Sequence, residues 1–115
     1  MTQAIRELSF MAEELDVQLA LMPRTARHAG RWTSLHTLEQ ALVLCDATGR
    51  QNVGVVYDTF YLAEDHDALN VAEKCAEKIF VLQLSDTLTP GGAEYAQCVP
   101  GTGNLPIQDT IQCLF

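Results

Sequence analysis

Apolar positions along this chain recur with two alternating spacings. Ile5, Leu8, Met11, Ala12 and Leu15 fall three or four apart, the spacing of one face of an α-helix, with Thr2 placed as its N-cap. Val17-Gln-Leu-Ala-Leu21 predicts a short strand stopped by Met22-Pro23, and a polar loop with Arg24, Arg27, His28, Gly30 and Arg31 follows. Thr37-Leu-Glu-Gln40 has the form of a capping box, in which the side chains at both ends satisfy backbone N–H groups of the first turn. Leu38, Ala41, Leu42, Leu44 and Cys45 continue that helix, which Gly49 should end by accepting the left-handed C-terminal conformation. Asn52-Val-Gly-Val-Val-Tyr57 is a nearly all-apolar strand ending at Asp58. A helix over about 67–78 buries Ala68, Leu69, Val71, Ala72, Cys75 and Ala76, and Ile79-Phe-Val-Leu-Gln-Leu84 is a third strand. A Gly/Pro-rich stretch from Thr87 to Leu105 leads to a terminal helix starting near Pro106.

Strands without polar alternation, each separated by a helix, predict an α/β fold with a parallel sheet covered on both faces. No repeat, low-complexity tract or linker divides the sequence, so residues 1–115 are expected to form one domain. Three parallel strands are few for a self-sufficient sheet, and a complete eight-stranded α/β barrel needs about 250 residues. The remaining neighbours of these strands come from a partner or a longer parent sequence, or the edges stay exposed.

Charge narrows the function classes. Fifteen acidic residues against seven basic ones give a formal charge of −8, which disfavours an extended phosphate-neutralising surface and with it a nucleic-acid partner. No window approaches the ~18 apolar residues of a membrane span, so no membrane partner is expected. Cys45, Cys75, Cys98 and Cys113 are widely spaced and form no C-x-x-C pair, so they read as reduced thiols of a cytoplasmic protein.

Ligands of parallel α/β folds bind at the carboxyl ends of the strands. Here those ends carry Met22-Pro23-Arg24, Asp58-Thr59-Phe60-Tyr61 and Gln83-Leu84-Ser85-Asp86. Asp58 and Asp86 are either site carboxylates or caps of the turns that follow them. Arg24, Arg27, His28 and Arg31 form a basic group in an acidic chain. They either receive an anionic ligand through bidentate guanidinium contacts or pair with Glu64, Asp65 and Asp67. Tyr61 is the candidate hydrogen-bond donor to a substrate oxygen, but an unperturbed phenol pKa of about 10 makes it a poor base. The alternative for Tyr61 is a half-buried aromatic at a strand end.

Four stretches occur in order: Thr37-Leu-Glu-Gln-Ala-Leu, Asn52-Val-Gly-Val-Val-Tyr-Asp-Thr-Phe-Tyr61, Phe80-Val-Leu-Gln-Leu-Ser-Asp86 and Val99-Pro-Gly-Thr-Gly103. Together they resemble the xylose-isomerase-like TIM-barrel superfamily of sugar-phosphate isomerases, epimerases and related lyases, which also includes apurinic endonucleases. The resemblance covers nearly the whole chain but only the second part of a family barrel. It implies a partial (β/α)8 barrel with about three parallel strands alternating with helices. It also implies a small sugar or hydroxy acid as substrate, proton abstraction as the chemistry, and a divalent metal, Mg²⁺ or Mn²⁺, as cofactor.

Carried over residue by residue, Asp58 matches the metal-binding Asp. Gln83 matches a position that is His in most members and Gln in a branch resembling 3-dehydroshikimate dehydratases. Met22 stands where the first metal-binding Glu would be, and Tyr61 where the His of Asp-x-x-His would be. Gln97, three residues before Pro100, stands where many members carry a substrate-binding Arg. A hard dication wants several oxygen ligands, and a thioether at Met22 is no substitute for a carboxylate. The expectation is a sugar phosphate isomerase/epimerase-like protein with a degraded metal site. The alternative is a non-catalytic half-barrel that homodimerises through open sheet edges, and a homo-oligomer is expected in either case.

Overall fold

The computed structural model describes residues 1–30, 33–89 and 96–115, and only the backbone of residues 28 and 29. Arg31 of the basic group and residues 90–95 of the Gly/Pro-rich stretch therefore lie outside the described residues, as does the side chain of His28. The elements run α1 (Thr2–Glu14), β1 (Leu19–Leu21), α2 (Ala26–Ala29), α3 (Leu38–Thr48), β2 (Val53–Asp58), α4 (Ala68–Lys74), a 3₁₀ turn (Ala76–Lys78), β3 (Ile79–Gln83) and α5 (Ile107–Leu114). The three strands form one parallel sheet in the order β1-β2-β3. Among the described residues no helix is long and apolar enough to cross a membrane.

The central strand organises the core. All six residues of β2 are buried, as expected of an interior parallel strand with both faces covered. Val53, Val55 and Tyr57 pack with Leu38, Ala41, Leu42 and Cys45 of α3 and with Ala68 and Ala72 of α4. The helix over them starts and stops as the sequence predicts. Thr37 and Gln40 close the capping box, and Gly49 takes the left-handed conformation at φ 66°.

Several boundaries differ from the sequence expectation, each for a local reason. Met1, not Thr2, occupies the N-cap position of the first helix, and it makes no side-chain cap bond. The first strand starts at Leu19 rather than Val17, because Asp16 turns the chain at φ 55° and the Val17 N–H is already bonded to the Ala12 carbonyl. The helix expected to run to about residue 78 stops at Lys74, and a 3₁₀ turn closed by Lys78 N–H to Cys75 O delivers the chain directly into β3. The loop carrying the basic group contains the short helix α2, and Leu84 lies just past the end of the β3 ladder.

One irregularity sets the geometry of the strand ends. Val55 pairs with Ile79, but the next residue, Val56, pairs with Val81, so Phe80 is an extra residue in β3. Gly54 makes room for it: a Cβ on Gly54 would lie 2.6 Å from both the Lys78 carbonyl oxygen and the Phe80 ring. Side chains alternate between the faces of a strand, so one extra residue exchanges the faces of everything after it. The shift makes Tyr57 level with Leu82, and Asp58 level with Gln83. Replacing Gly54 with Ala should lower stability by about 1–3 kcal/mol, because the Lys78 carbonyl is backbone and cannot retreat without moving the chain into β3. Urea unfolding checks this, with a lower midpoint and an unchanged slope as the expected result.

Candidate functional site

The strand ends carry the candidate chemistry. Asp58, the last residue of β2, is buried, and its Oδ1 accepts hydrogen bonds from Phe60 N (2.9 Å) and Tyr61 N (3.0 Å). This is the turn-capping role of an Asp at a strand exit. Its Oδ2 has no hydrogen bond among the described residues. Gln83 is its direct neighbour on β3 and is exposed. The structure thus brings Asp58 and Gln83 side by side on the sheet face opposite the α3–α4 layer.

Thr59 ties the two strand exits together. Its N–H bonds to Gln83 O, its Oγ1 donates to Ser85 O at 2.6 Å, and the same Oγ1 accepts from Ser85 N at 3.0 Å. Gln97 reaches this seam from the far loop and donates to Ser85 Oγ at 3.2 Å.

Asp86 is spent on structure. It is fully buried, with Oδ1 accepting from Thr87 N and Leu105 N and Oδ2 from Gly101 N and Gly103 N. Its backbone also bridges Cys98, with N–H···O bonds in both directions at 3.0 and 2.8 Å. Burial alone would push the carboxyl pKa up, but the four backbone donors outweigh it and hold it below the usual carboxylate range. Of the two readings of Asp86, the geometry is that of a loop anchor.

The basic group is partly committed. The Arg24 guanidinium lies over the half-buried Tyr61 ring at 4.2 Å from its centroid, a cation–π contact. Thr25 N also bonds to Tyr61 O, so the loops after β1 and β2 are joined twice. Phe60 packs edge-on against Tyr61 at 5.4 Å. Arg27 pairs with Glu64 at 2.7 Å, one of the acids expected to neutralise this group. Met22 follows β1 and is half-buried. Cys45 donates its thiol to Gly54 O at 3.2 Å, and burial pushes it up to about 11, so it is not a nucleophile.

A divalent metal can be tested against this donor set. Asp58 offers one uncommitted carboxylate oxygen, Gln83 an amide oxygen, Asp86 nothing, and Met22 a soft thioether. Among the described residues, no three His, Cys, Asp or Glu side chains are grouped so as to hold an ion. Two oxygens do not meet the six or more that Mg²⁺, Mn²⁺ and similar hard cations take, so the residues present do not fit the metal.

Parallel strands alternating with helices, with polar groups gathered at the strand ends, define a segment of an α/β barrel. The family model of the xylose isomerase-like TIM barrel matches residues 1–114, and the chain belongs to that family. It is 32% identical over 111 residues to a D-psicose 3-epimerase of Enterocloster bolteae, covering 96% of this chain and 33% of that protein. It is 33% identical over 88 residues to an inosose isomerase of Bacillus velezensis, covering 74% of this chain and 29% of that protein. In structure it is similar to the IOLI protein with a bound zinc atom, with a TM-score of 0.82, 24% identity, and 98% and 41% of the two chains covered. It is also similar to a Sinorhizobium meliloti protein, with a TM-score of 0.85, 23% identity, and 98% and 42% covered. The chain therefore spans about a third of the length of these curated relatives and about two-fifths of the solved structures.

Replacing Asp86 with Asn leaves at least one backbone N–H in the loop without its charged acceptor, and should lower the thermal midpoint by about 5 °C or more. The sign of the pH dependence follows from the direction of the shift. A carboxyl held below its unfolded value of about 3.9 stabilises the fold above that pH, and this stability is lost as pH falls toward the folded value. The gap between wild type and Asp86→Asn should be widest near neutrality and narrow below about pH 4, as read from thermal melts across pH.

Proposed function

We propose that residues 1–115 act as one sugar isomerase/epimerase-like unit. Its strand ends present Asp58, Gln83 and Arg24 to a small sugar or hydroxy acid, and it does not by itself assemble a divalent-metal centre. The observation that carries this reading is the commitment of the two carboxylates: of their four oxygens, three accept backbone hydrogen bonds, and only Asp58 Oδ2 is left.

The remaining groups suit binding better than turnover. Gln83 offers both a donor and an acceptor to hydroxyl groups, and Asp58 Oδ2 adds an acceptor beside it. Arg24 rests on an aromatic face and makes no ion pair among the described residues, so its charge is left for an anionic group of the ligand. Among them only the Asp58 carboxylate is a base by type, and its Oδ1 is already held by two turn amides. The names of the relatives, an epimerase and an inosose isomerase, support a sugar or polyol as the ligand class.

Millimolar Mn²⁺ should therefore move the thermal midpoint of the isolated chain by less than about 1 °C. In the same assay ribose 5-phosphate should raise the midpoint, and Arg24→Ala should remove that rise. A rise of several degrees with Mn²⁺ that disappears in Asp58→Ala would show a working metal site and defeat the proposal.

A second reading, a half-barrel that homodimerises, is favoured by the sheet itself. Among the described residues its order leaves β1 and β3 each with one neighbour, and Val81 and Leu84 at the β3 side are 42% and 37% exposed. Open edges and exposed apolar side chains favour association. Light scattering at micromolar concentration should give twice the chain mass of 12.7 kDa. A value of 12.7 kDa would count against this reading.

A further inference from the structure

Beside the exit of β2, between the β2–α4 loop and the start of α5, a cavity of about 350 Å³ opens on the helix side of the sheet. Tyr57 projects to that side, since it packs with the α3–α4 core rather than sharing the face of Asp58. Tyr57 is only 6% exposed, and its hydroxyl has no hydrogen-bond partner among the described residues. The hydroxyl therefore opens onto the cavity that Tyr57 lines, and its hydrogen-bond partner comes from whatever fills that space.

The other lining groups narrow what that partner is. Asp65 also lines the cavity; its Oδ2 accepts from Leu38 N at 2.9 Å, and its Oδ1 has no partner among the described residues. Asn104 donates its amide N–H to Leu88 O at 2.6 Å, which leaves its amide oxygen as an acceptor. Leu62, Leu69 and Leu105 supply an apolar wall, and the lining contains no Lys or Arg. Burial first, and then the neighbouring Asp65 carboxylate and Cys113 thiol, push the Tyr57 phenol up to about 12, which keeps it protonated.

We propose that this cavity, on the sheet face opposite Asp58 and Gln83, is a second ligand site, which takes a small primary amine. The ammonium sits between Asp65 Oδ1, the Tyr57 hydroxyl and the Asn104 carbonyl oxygen, and a compact apolar body rests against Leu62, Leu69 and Leu105. The chemistry follows from the count of groups. Two free acceptors and an amphoteric hydroxyl, with His66 the one basic side chain in the lining and no Lys or Arg, suit a ligand with several N–H donors and a positive charge. A volume near the low end of ligand pockets requires the body to be small. Every residue lining the cavity lies between 57 and 110.

Benzylamine is a suitable probe, followed by amide chemical shifts during titration of the whole chain near neutral pH. Saturable shifts should appear at Leu62, Asp65, Leu69 and Leu105, with a Kd roughly in the millimolar range expected for so few atoms. Tyr57→Phe and Asp65→Asn, which keep the ring and the acceptor for Leu38 N, should each weaken binding about tenfold. Benzyl alcohol, the same body without the charge, should bind at least about tenfold more weakly to the unaltered chain. The proposal fails if benzylamine produces no saturable shifts at these positions. It fails equally if benzyl alcohol binds as well, or if either variant keeps the original affinity. The benzyl alcohol comparison needs no variant and so does not depend on either substitution folding.

Discussion

Six consecutive residues of the central strand are removed from water, and the rest of the molecule is arranged around that fact. A strand buried on both faces cannot leave backbone groups unpaired, so it needs a neighbour on each side, a helix layer on one face and close packing on the other. β1 and β3 supply the pairing, and α3 and α4 supply the layer. Asp58 is buried at the tip because it belongs to this strand, and its first task is to satisfy the amides of the turn that lets the chain leave.

Much of this was legible in the residues. The order of elements, the capping box at Thr37 with its stop at Gly49, and the apolar run of β2 all follow from periodicity and end signals. So does the gathering of Asp58 and Gln83 at strand ends. Of the basic loop, Arg27 pairs with Glu64, one of the acids the sequence offers it, while Arg24 lies over Tyr61 instead. The anchoring role of Asp86 was one of two readings, and only the approach of four loop amides decides it, which no local pattern encodes.

What escaped the sequence depends on contacts between segments distant along the chain. The late start of β1 comes from a backbone bond of Val17 back into α1. The extra residue in β3 depends on a glycine 26 positions earlier making room for Phe80. The cavity beside Tyr57 was invisible because that tyrosine reads as one more member of an apolar strand. Its hydroxyl becomes distinctive only once the loop and α5 leave it without a partner.

The extra residue at Phe80 has a consequence for how such a mouth changes over evolutionary time. In a strand with regular pairing, a new polar group reaches the mouth only by exchange of one side chain for another at a fixed position. Here a substitution that closed the space at Gly54 would draw Phe80 into the ladder, set Leu82 level with Asp58 and turn Gln83 to the helix layer in one event. The set of groups beside Asp58 can thus be re-dealt by a change of pairing begun at the far end of the strands, with no change in the identity of any residue at the mouth.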